Sequence, residues 1–283
     1  EPLAPPATLD YDLWLGPAED LPLYRDKFHY DWHWMWNTGN GDIGNQAPHE
    51  TDLIQWIRGD GELPRRVYSF GGRFGWNDAG ETPNMQLAVF DYGDYPVHFE
   101  VRDLWIEPTR NAAPVYEGTR VGVVITCEGG EFRGGRGGGW VYAPDGERIR
   151  NFKGDGGGGH QQHFIDAIRA GDPSKLNVTV EQSHKSAALA HLANISYRLG
   201  DPVGPDAVAG RLKENPFLEE RLESFKEQLG KWNIDYQAAP FTLGSVQEFD
   251  PATERFVSGE QVDAANALLT RSYRKGYEVK QQA

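Results

Sequence analysis

The sequence predicts an α+β fold in which a large, mostly antiparallel open sheet carries helices on one face. Two observations support this class. Segments rich in Val, Ile, Tyr and Phe, separated by Gly, Asp and Pro turns, occupy the middle of the chain, and amphipathic segments follow them. Connections as short as "DYGDYP" and "APDGER" favour antiparallel neighbours over helical crossovers. Strands followed by helices are typical of an α+β layer.

Five segments have strand character. They are, in chain order, "RRVYSFGGRF" (65–74), "MQLAVFDYG" (85–93), "YPVHFEVRDLW" (95–105), "RVGVVITCEG" (120–129) and "GGWVYAPDGERIRNF" (138–152). The amphipathic segments "HQQHFIDAIRAG" (160–171) and "VEQSHKSAALAHLANISYRLG" (180–200) predict helices closed by Gly171 and Gly200. The tail adds a charged helix around 218–232 and a last segment near 262–279.

These elements predict three divisions of the chain. Residues 1–22 are rich in proline without a sustained period, which is typical of an extended arm or linker. Residues 23–204 contain the predicted strands and the first helices, and form an α+β domain. Residues 205–283 form a C-terminal extension that we expect to pack on the same domain.

Composition limits the partners and the compartment. The formal net charge is −14 and no basic stripe is present, which argues against nucleic acid and anionic membranes, because both require clustered Lys and Arg. Cys127 is the only cysteine, which excludes an intrachain disulfide and a cysteine zinc site. The sequence contains neither a signal peptide nor an apolar run long enough to cross a bilayer. These features fit the cytoplasm and also permit export to the periplasm after folding.

The run "FHYDWHWMWN" (28–37) alternates aromatic and polar residues. In an extended backbone, Tyr30, Trp32, Trp34 and Trp36 would share one face. Such a stripe is either ordinary sheet core or a platform on which a sugar ring stacks. The pattern alone does not decide between these two interpretations.

The stretch "GNGDIGNQAPHETDLIQW" (39–56) predicts the first long helix. Pro48 is tolerated only in a first turn, so we expect this helix to begin near Asn45 or Gln46. The 3.6-residue repeat gives the helix two faces. The apolar face carries Ile43, Ala47, Ile54 and Ile57, and the polar face carries Asn45, His49, Asp52 and Trp56.

His49 and Asp52 on the polar face are the predicted catalytic residues. At i, i+3 spacing a carboxylate can hold the imidazole in one tautomer, while the other ring nitrogen exchanges a proton with a substrate hydroxyl. Asn45, one turn earlier, could donate a hydrogen bond to the same ligand. The plain alternative is that Asn45 caps the helix and His49 pairs with Asp52 at the surface. Spacing alone slightly favours this alternative.

Other patterns indicate no chemistry. The glycine-rich runs "GGRGGG" (134–139) and "GDGGGGH" (154–160) match neither nucleotide-binding glycine motif and predict flexible loops. The histidine pairs at 29 and 33 and at 160 and 163 lack a third nearby ligand, so we expect polar capping and no metal site.

Several segments together resemble one protein family. They are "DYDLWLGP" (10–17), residues 28–56, "GGRFGWNDAGETPNMQLAVFDYG" (71–93), "HFIDAIRAGDPSKLN" (163–177) and "SAALAHLANISYRLG" (186–200). In this order they resemble the C-terminal part of the Gfo/Idh/MocA family (glucose-fructose oxidoreductase, inositol dehydrogenase, MocA), in particular its planctomycete-type branch. The resemblance covers almost the whole chain.

The resemblance implies an NAD(P)-dependent oxidoreductase of sugars, polyols or their derivatives. In that family an N-terminal Rossmann domain holds the cofactor. A C-terminal α+β domain, dihydrodipicolinate-reductase-like, supplies the substrate pocket and, through its open sheet face, the homo-oligomer interface. In the family a histidine faces the nicotinamide and relays the substrate proton, and an aspartate follows it three residues later. His49 and Asp52 match these two residues. The implied substrate-binding residues are Asn45, which stands where many members have Asp, and Tyr30, Trp32, Trp34 and Arg73.

Two family elements are missing from the sequence, namely the dinucleotide motif of the Rossmann domain and the Lys-Pro element with the catalytic lysine. We therefore expect a fragment of a full oxidoreductase that uses NAD or NADP only together with the missing domain and binds neither by itself. One alternative is a free-standing, non-redox carbohydrate-binding or assembly module. A cofactor-independent lyase or hydrolase using His49 ranks below both.

Overall fold

The computed structural model describes residues 1–59 and 61–279. The α-helices are α1 (Tyr11–Leu15), α2 (Gly41–Arg58), α3 (His160–Ala170), α4 (Val180–Arg198), α5 (Pro205–Leu212), α6 (Pro216–Lys231) and α7 (Val262–Ala267). The strands are β1 (Arg66–Gly72), β2 (Met85–Asp91), β3 (Pro96–Arg102), β4 (Val123–Cys127), β5 (Gly130–Gly135), β6 (Gly138–Tyr142), β7 (Arg148–Lys153), β8 (Asp201–Val203), β9 (Phe241–Leu243), β10 (Gln247–Asp250) and β11 (Arg255–Gly259). Short 3₁₀ helices form at Asp31–Trp34 and Pro173–Lys175. The predicted α+β class is confirmed.

The chain divides into two compact units. The first comprises Glu1–Asn45, Pro64–Ala112 and His191–Ala283, and the second comprises Gln46–Leu63 and Ala113–Ala190. Over the described residues, the first unit holds a seven-stranded sheet and the second a four-stranded sheet. The predicted divisions at residues 22 and 204 were based on expected roles as well as on compactness. They therefore stay a prediction.

Two separate sheets replace the single large sheet that was predicted. All strand pairs in both are antiparallel, as the short connections indicated. Between β3 and β4 the chain forms only isolated bridges, Glu107 with Arg110 and Tyr116 with Thr119. Each bridge pairs residues three apart, so this segment turns back on itself and does not extend the ladder from β3 to β4.

The core of the first unit lies between its sheet and two C-terminal helices. The sheet has the order β11-β10-β1-β2-β3, with β9 beside β1 and β8 beside β9. The buried side chains of this core are Phe70, Phe74, Met85, Leu87, Val89, Leu104, Val208, Leu212, Leu218, Leu222, Phe225, Leu229 and Phe241. Those from residue 208 to 229 belong to α5 and α6, so the C-terminal extension completes the core.

The opposite face of β1 and β2 is covered as well. Ser69 Oγ donates to Ala193 O at 2.9 Å, and Ser196 Oγ accepts from Ser69 N at 3.0 Å. Both partners belong to the C-terminal part of α4, within the first unit. The prediction that helices cover one face only is therefore wrong for these strands. Small and polar residues alternate with Phe and Leu along these strands. The small and polar residues face α4 and bind it through hydrogen bonds.

The four-stranded sheet of the second unit runs β4-β5-β6-β7. Its strand β5 and the β5–β6 hairpin occupy the "GGRGGG" run, so the flexible loop predicted there is wrong. The glycines are needed because Phe132 lies across them: a Cβ at Gly134 or Gly139 would lie 2.7 or 2.6 Å from its ring. A sequence rule that treats glycine as a loop residue misses this packing.

The helices match the sequence more closely than the strands do. Gly171 closes α3 with φ of 61°, the left-handed conformation expected of a helix-ending glycine. The arm at 1–22 contains the five-residue helix α1, capped by the Asp10 side chain, which accepts from Leu13 N. The strands β8 to β11 in the tail were not predicted.

No helix among the described residues is long and apolar enough to span a membrane.

His98 on β3 should make the protein less stable in acid. Its ring stacks on Phe217 at 4.5 Å between centroids, and Asn215 Nδ2 donates to its Nε2 at 3.3 Å. Burial lowers the pKa of His98 from 6.5 to about 4. Because the folded pKa lies below the unfolded one, the unfolded chain takes up the proton first. The contribution to stability is thus complete above pH 6.5 and decreases as the pH falls toward 4.

The substitution His98→Gln should weaken this acid sensitivity, because glutamine does not titrate. Denaturant unfolding of the wild type and the variant at about pH 7.5 and about pH 5 measures it, within the range where the two states differ in bound protons. The exposed His29 supplies the control, and His29→Gln should keep the wild-type dependence. Equal pH dependence in all three proteins would contradict the role of His98.

Candidate functional site

Helix α2 carries the predicted catalytic residues and begins earlier than predicted. It starts at Gly41, one turn before Asn45, and keeps Pro48 in its interior. Ile43 of the first turn is 1% exposed. Within the first unit, Asn194 Nδ2 donates to Asn40 O at 2.7 Å, immediately before the helix. Burial and this contact outweigh the hydrogen bond that Pro48 cannot make.

The apolar face of α2 follows the predicted repeat except in its last turn. Ile43, Ala47 and Ile54 are buried, but Ile57 is 48% exposed, so its predicted place on the buried face is wrong. The reason lies at the helix end, where Gln55 is buried instead and its Nε2 donates to Glu62 O at 3.3 Å.

His49 and Asp52 both lie in the second unit. His49 is exposed, and Asp52 is half-buried. Asp52 Oδ1 accepts a hydrogen bond of 3.0 Å from Ser186 Oγ on α4. The hydrogen bonds found among the described residues do not include one between His49 and Asp52. Asn45 belongs to the first unit and is exposed one turn earlier in the same helix.

A carboxyl group that sequence reasoning missed is the neighbour of His49 in the chain. Glu50 is only 5% exposed, and Gln46 Nε2 donates to its Oε2 at 3.0 Å. Burial raises the pKa of Glu50, while the Gln46 hydrogen bond and the charges of His49 and Arg136 lower it. A buried acid with a raised pKa beside an exposed histidine is a candidate for proton exchange. The helical repeat could not reveal it, because Glu50 faces away from the exposed stripe.

The aromatic run adopts a 3₁₀ helix at Asp31–Trp34, not an extended backbone. His33 Nδ1 lies 2.5 Å from Tyr30 O, and Thr38 Oγ1 donates to Trp32 O at 2.9 Å. The rings therefore do not share one face: Tyr30 is 57% exposed, Trp32 38% and Trp34 9%. Local hydrogen bonds from side chains to the backbone decided the conformation, which the alternating pattern could not show.

Trp34 contacts a second carboxyl group that sequence reasoning missed. Its Nε1 lies 3.3 and 3.4 Å from the two carboxylate oxygens of Asp42, within the first unit. The pKa of Asp42 is raised to about 7, chiefly by burial and also by the charge of Asp103, while the Trp34 hydrogen bond and the charge of Arg73 oppose the rise. Asp42 can thus change protonation near neutral pH. An acidic residue in a first turn ordinarily indicates only a favourable interaction with the helix dipole, so the sequence signal was weak.

Arg73, also in the first unit, is held by a bidentate ion pair. Its Nε and Nη2 donate to the two carboxylate oxygens of Asp78 at 2.8 and 2.6 Å, and its Nη1 donates to Thr82 O at 3.1 Å. These contacts lower the pKa of Asp78, chiefly through the hydrogen bond from Arg73. The guanidinium is therefore oriented by the protein, and its predicted role in substrate binding stays a prediction.

The histidine pairs considered as metal ligands contact the backbone. His160 Nδ1 lies 2.7 Å from Gly157 O, and His163 Nε2 lies 2.6 Å from Lys175 O. Over residues 1–59 and 61–279, no group of three or more His, Cys, Asp or Glu side chains is arranged to hold a metal ion.

Comparison with protein families gives one match. Residues 1–71 match the model described as an oxidoreductase family, C-terminal alpha/beta domain. Comparison with the curated proteins gives no match.

Solved structures give distant likenesses. A candidate oxidoreductase from Klebsiella pneumoniae is 16% identical with a TM-score of 0.38, over 56% of this chain and 47% of that one. The candidate oxidoreductase YhhX is 15% identical with a TM-score of 0.34, over 52% of this chain and 46% of that one. The candidate oxidoreductase YvaA of Bacillus subtilis is 14% identical with a TM-score of 0.28, over 52% of this chain and 47% of that one. The matched region spans about half the length of each of these proteins. Likenesses at this level are too distant to assign an activity.

Proposed function

Residues 1–71 match the model of the C-terminal domain of the Gfo/Idh/MocA oxidoreductases, and from this match we propose a specific role. The chain is the substrate-binding half of an NAD(P)-dependent oxidoreductase that acts on a CH–OH group of a sugar, polyol or sugar derivative. The oxidoreductase family rests on the match. The substrate class, the cofactor and the catalytic residue are our proposal, and so is the planctomycete-type branch.

The exposure of His49 on α2 is the observation that carries this proposal. A general acid or base must reach the proton that it transfers, and His49 is accessible to solvent. Asp52, three residues later, lies on the same side of the helix, and Ser186 holds its carboxylate in place. In the proposed reaction His49 accepts the hydroxyl proton as the alcohol becomes a carbonyl, and Asp52 orients the imidazole.

Substrate recognition is proposed for the residues implied by the family resemblance. Tyr30 and Trp32 present exposed rings that suit stacking on a sugar face. Trp34 and Arg73 also contact the substrate in this proposal, and within the first unit Asp42 and Asp78 orient their side chains. Asn45, exposed in the first unit, is proposed to contact the substrate through its amide.

The dinucleotide site is proposed to lie outside the residues that the structure describes. A Rossmann unit requires neighbouring parallel strands joined by a helix, with phosphates at the helix N-terminus. Both sheets here are antiparallel. The proposal therefore assigns no step to a cofactor held by these residues, and places NAD or NADP in the N-terminal domain expected for the family.

The proposed separation of substrate binding and cofactor binding between two domains can be tested directly. The full-length protein should reduce NAD⁺ or NADP⁺ when supplied with a panel of hexoses, inositols and sugar alcohols, measured by nicotinamide absorbance. The 283-residue chain should show no cofactor binding by calorimetry. Micromolar binding of NAD or NADP to this chain alone would contradict the proposal, and so would a full-length protein that turns over none of the panel.

A non-redox carbohydrate-binding module remains the second candidate function. The exposed Tyr30 and Trp32 favour it, because a stacking platform needs no catalytic partner. Sugar binding by this chain without any turnover by the full-length protein would select this candidate over the first. A cofactor-independent lyase or hydrolase using His49 would instead show turnover that is independent of added nicotinamide.

Self-association through an open sheet face is also proposed. In the second unit, Ile125, Phe132 and Val141 form an apolar row across β4, β5 and β6, and each is only half-buried. An apolar sheet face of this kind favours a symmetric contact between copies of the chain. Light scattering that shows a pure monomer at micromolar concentration would contradict this interface.

A further inference from the structure

The first unit contains a cleft of about 220 Å³ next to α1 and the first 3₁₀ helix. We call it the aromatic cleft, because Tyr11, Trp14, Phe28 and Trp32 line it. Neither His49 nor Asp52, the proposed catalytic pair, is among its lining residues. Of the residues proposed above for substrate binding, it shares only Trp32.

The walls of the aromatic cleft are held by other parts of the first unit. Tyr11 and Trp14 stack at 5.7 Å between ring centroids, and Phe28 meets Trp14 edge-on at 5.0 Å. From the C-terminal segment, Arg274 N donates to Pro17 O at 3.1 Å and Arg274 Nε donates to Gly16 O at 3.0 Å. On the other side, Trp32 stacks on His33 at 3.7 Å. The cleft is therefore formed before any ligand arrives, which limits the entropy lost on binding.

The polar side chains that line the cleft are mostly satisfied by the protein. Asn37 Nδ2 donates to Glu19 O at 2.7 Å, and Asn37 Oδ1 accepts from Glu19 N at 3.0 Å. Thr38 Oγ1 donates to Trp32 O at 2.9 Å, and Glu81 Oε2 accepts from Trp36 N at 2.7 Å. A sugar needs partners for most of its hydroxyls, and these groups are already engaged. The chemistry of the cleft thus differs from that of a sugar site.

The charges that line the cleft balance. Arg25 and Lys27 are positive, and Asp31 and Glu81 are negative. Arg25 Nε pairs with Asp31 at 3.2 Å, and Arg25 Nη1 pairs with Asp78 at 3.3 Å, so the arginine is not free for an anion. Neither a cation nor an anion is selected by this arrangement.

From these observations we propose that the aromatic cleft binds a small uncharged aromatic molecule, of about the size of phenol or indole. A volume of about 220 Å³ is below the range of about 300–1,000 Å³ typical of drug-sized ligands, and suits one ring system. The ring of the ligand would contact the Trp and Phe side chains of the walls, where offset and edge-on arrangements are favourable. This site goes beyond the proposed function, since it requires neither His49 nor a cofactor.

Ligand-observed saturation-transfer NMR on the 283-residue chain tests the inference, with indole and p-cresol as probes and D-glucose and myo-inositol as comparison ligands. Indole and p-cresol should give saturation transfer. Leu21→Trp should weaken indole binding at least about tenfold, because the new side chain occupies the cleft that Leu21 lines. Leu13→Trp is the matched control, since Leu13 is exposed on α1 and does not line the cleft; it should bind indole like the wild type.

A second pair of variants keeps the test decisive if Leu21→Trp does not fold. Trp32→Ala should weaken indole binding, and Trp105→Ala should not, although the two tryptophans are 38% and 39% exposed. The inference would be overturned by no transfer to either ring probe, by equal weakening in variants and controls, or by glucose binding that Leu21→Trp abolishes. A dimer in which a second copy fills the cleft would also overturn it. The proposed redox function is tested separately by turnover and does not depend on these results.

Discussion

The variant His49→Ala should lower the turnover of the proposed full-length oxidoreductase at least about a hundredfold and leave its melting temperature nearly unchanged. A general acid or base contributes about 10²–10⁴ in rate. An exposed side chain away from the core contributes within roughly 0.5 kcal/mol to stability. His49 is exposed on α2, so the two effects separate cleanly. Steady-state kinetics on a sugar or polyol substrate, with calorimetric melting of the same samples, measures both.

Asp52→Asn should lower turnover in the same direction but less, as expected of a residue that orients the imidazole while His49 itself remains. Some loss of stability is expected in this variant, since Ser186 donates to Asp52. His29→Ala is the matched control, another exposed histidine outside the proposed site. If His49→Ala unfolds the protein while turnover per folded molecule is retained, His49 is structural and the catalytic assignment fails.

The largest expected effect on stability follows from Glu100→Ala. The Glu100 carboxylate forms two ion pairs, with Arg102 Nε at 2.8 Å and with Arg221 Nε at 2.9 Å. The two arginine side chains are 4% and 7% exposed, and Arg102 also packs over Phe225 at 4.2 Å. Burial lowers the pKa of Arg102 to about 10, and Glu100 opposes that shift. Glu100 thus compensates two buried positive charges.

Removing one partner of a buried ion pair costs about 3–5 kcal/mol, because the other charge stays buried without compensation. Glu100→Ala should therefore lower the free energy of unfolding by about that amount, measured by urea denaturation. Glu220 is the matched control: it also pairs with Arg221, at 3.4 Å, but its side chain is 65% exposed. Glu220→Ala should cost at most about 1 kcal/mol. Equal losses in the two variants would contradict the compensating role of Glu100.

The sequence by itself determined the features that depend on neighbouring residues. The α+β class, the helices at 160–170 and 180–198, and the antiparallel pairing follow from hydrophobic period, helix-ending glycine and short turns. The placement of His49 and Asp52 on one side of α2 follows from helical spacing alone. Each of these can be read within a window of a few residues.

Only the tertiary structure decided the features that depend on distant partners. The short strands β9 and β10 form because they pair with β1, and β8 and β11 pair in turn with β9 and β10, although their own sequences are weakly strand-like. The first turn of α2 extends back to Gly41 because its apolar side chains are buried. The aromatic cleft exists because the arm folds back and residues near the C-terminus hold it.

The protonation of the buried acids was likewise decided by tertiary structure. Asp42 and Glu50 are two ordinary carboxylates in the sequence, and nothing in their immediate neighbours indicates that their pKa values are raised. The shifts arise from desolvation and, for Asp42, from the charge of Asp103, sixty-one positions away in the chain. Desolvation depends on which surfaces are removed from water, and a local pattern specifies a face of a helix but not what covers that face.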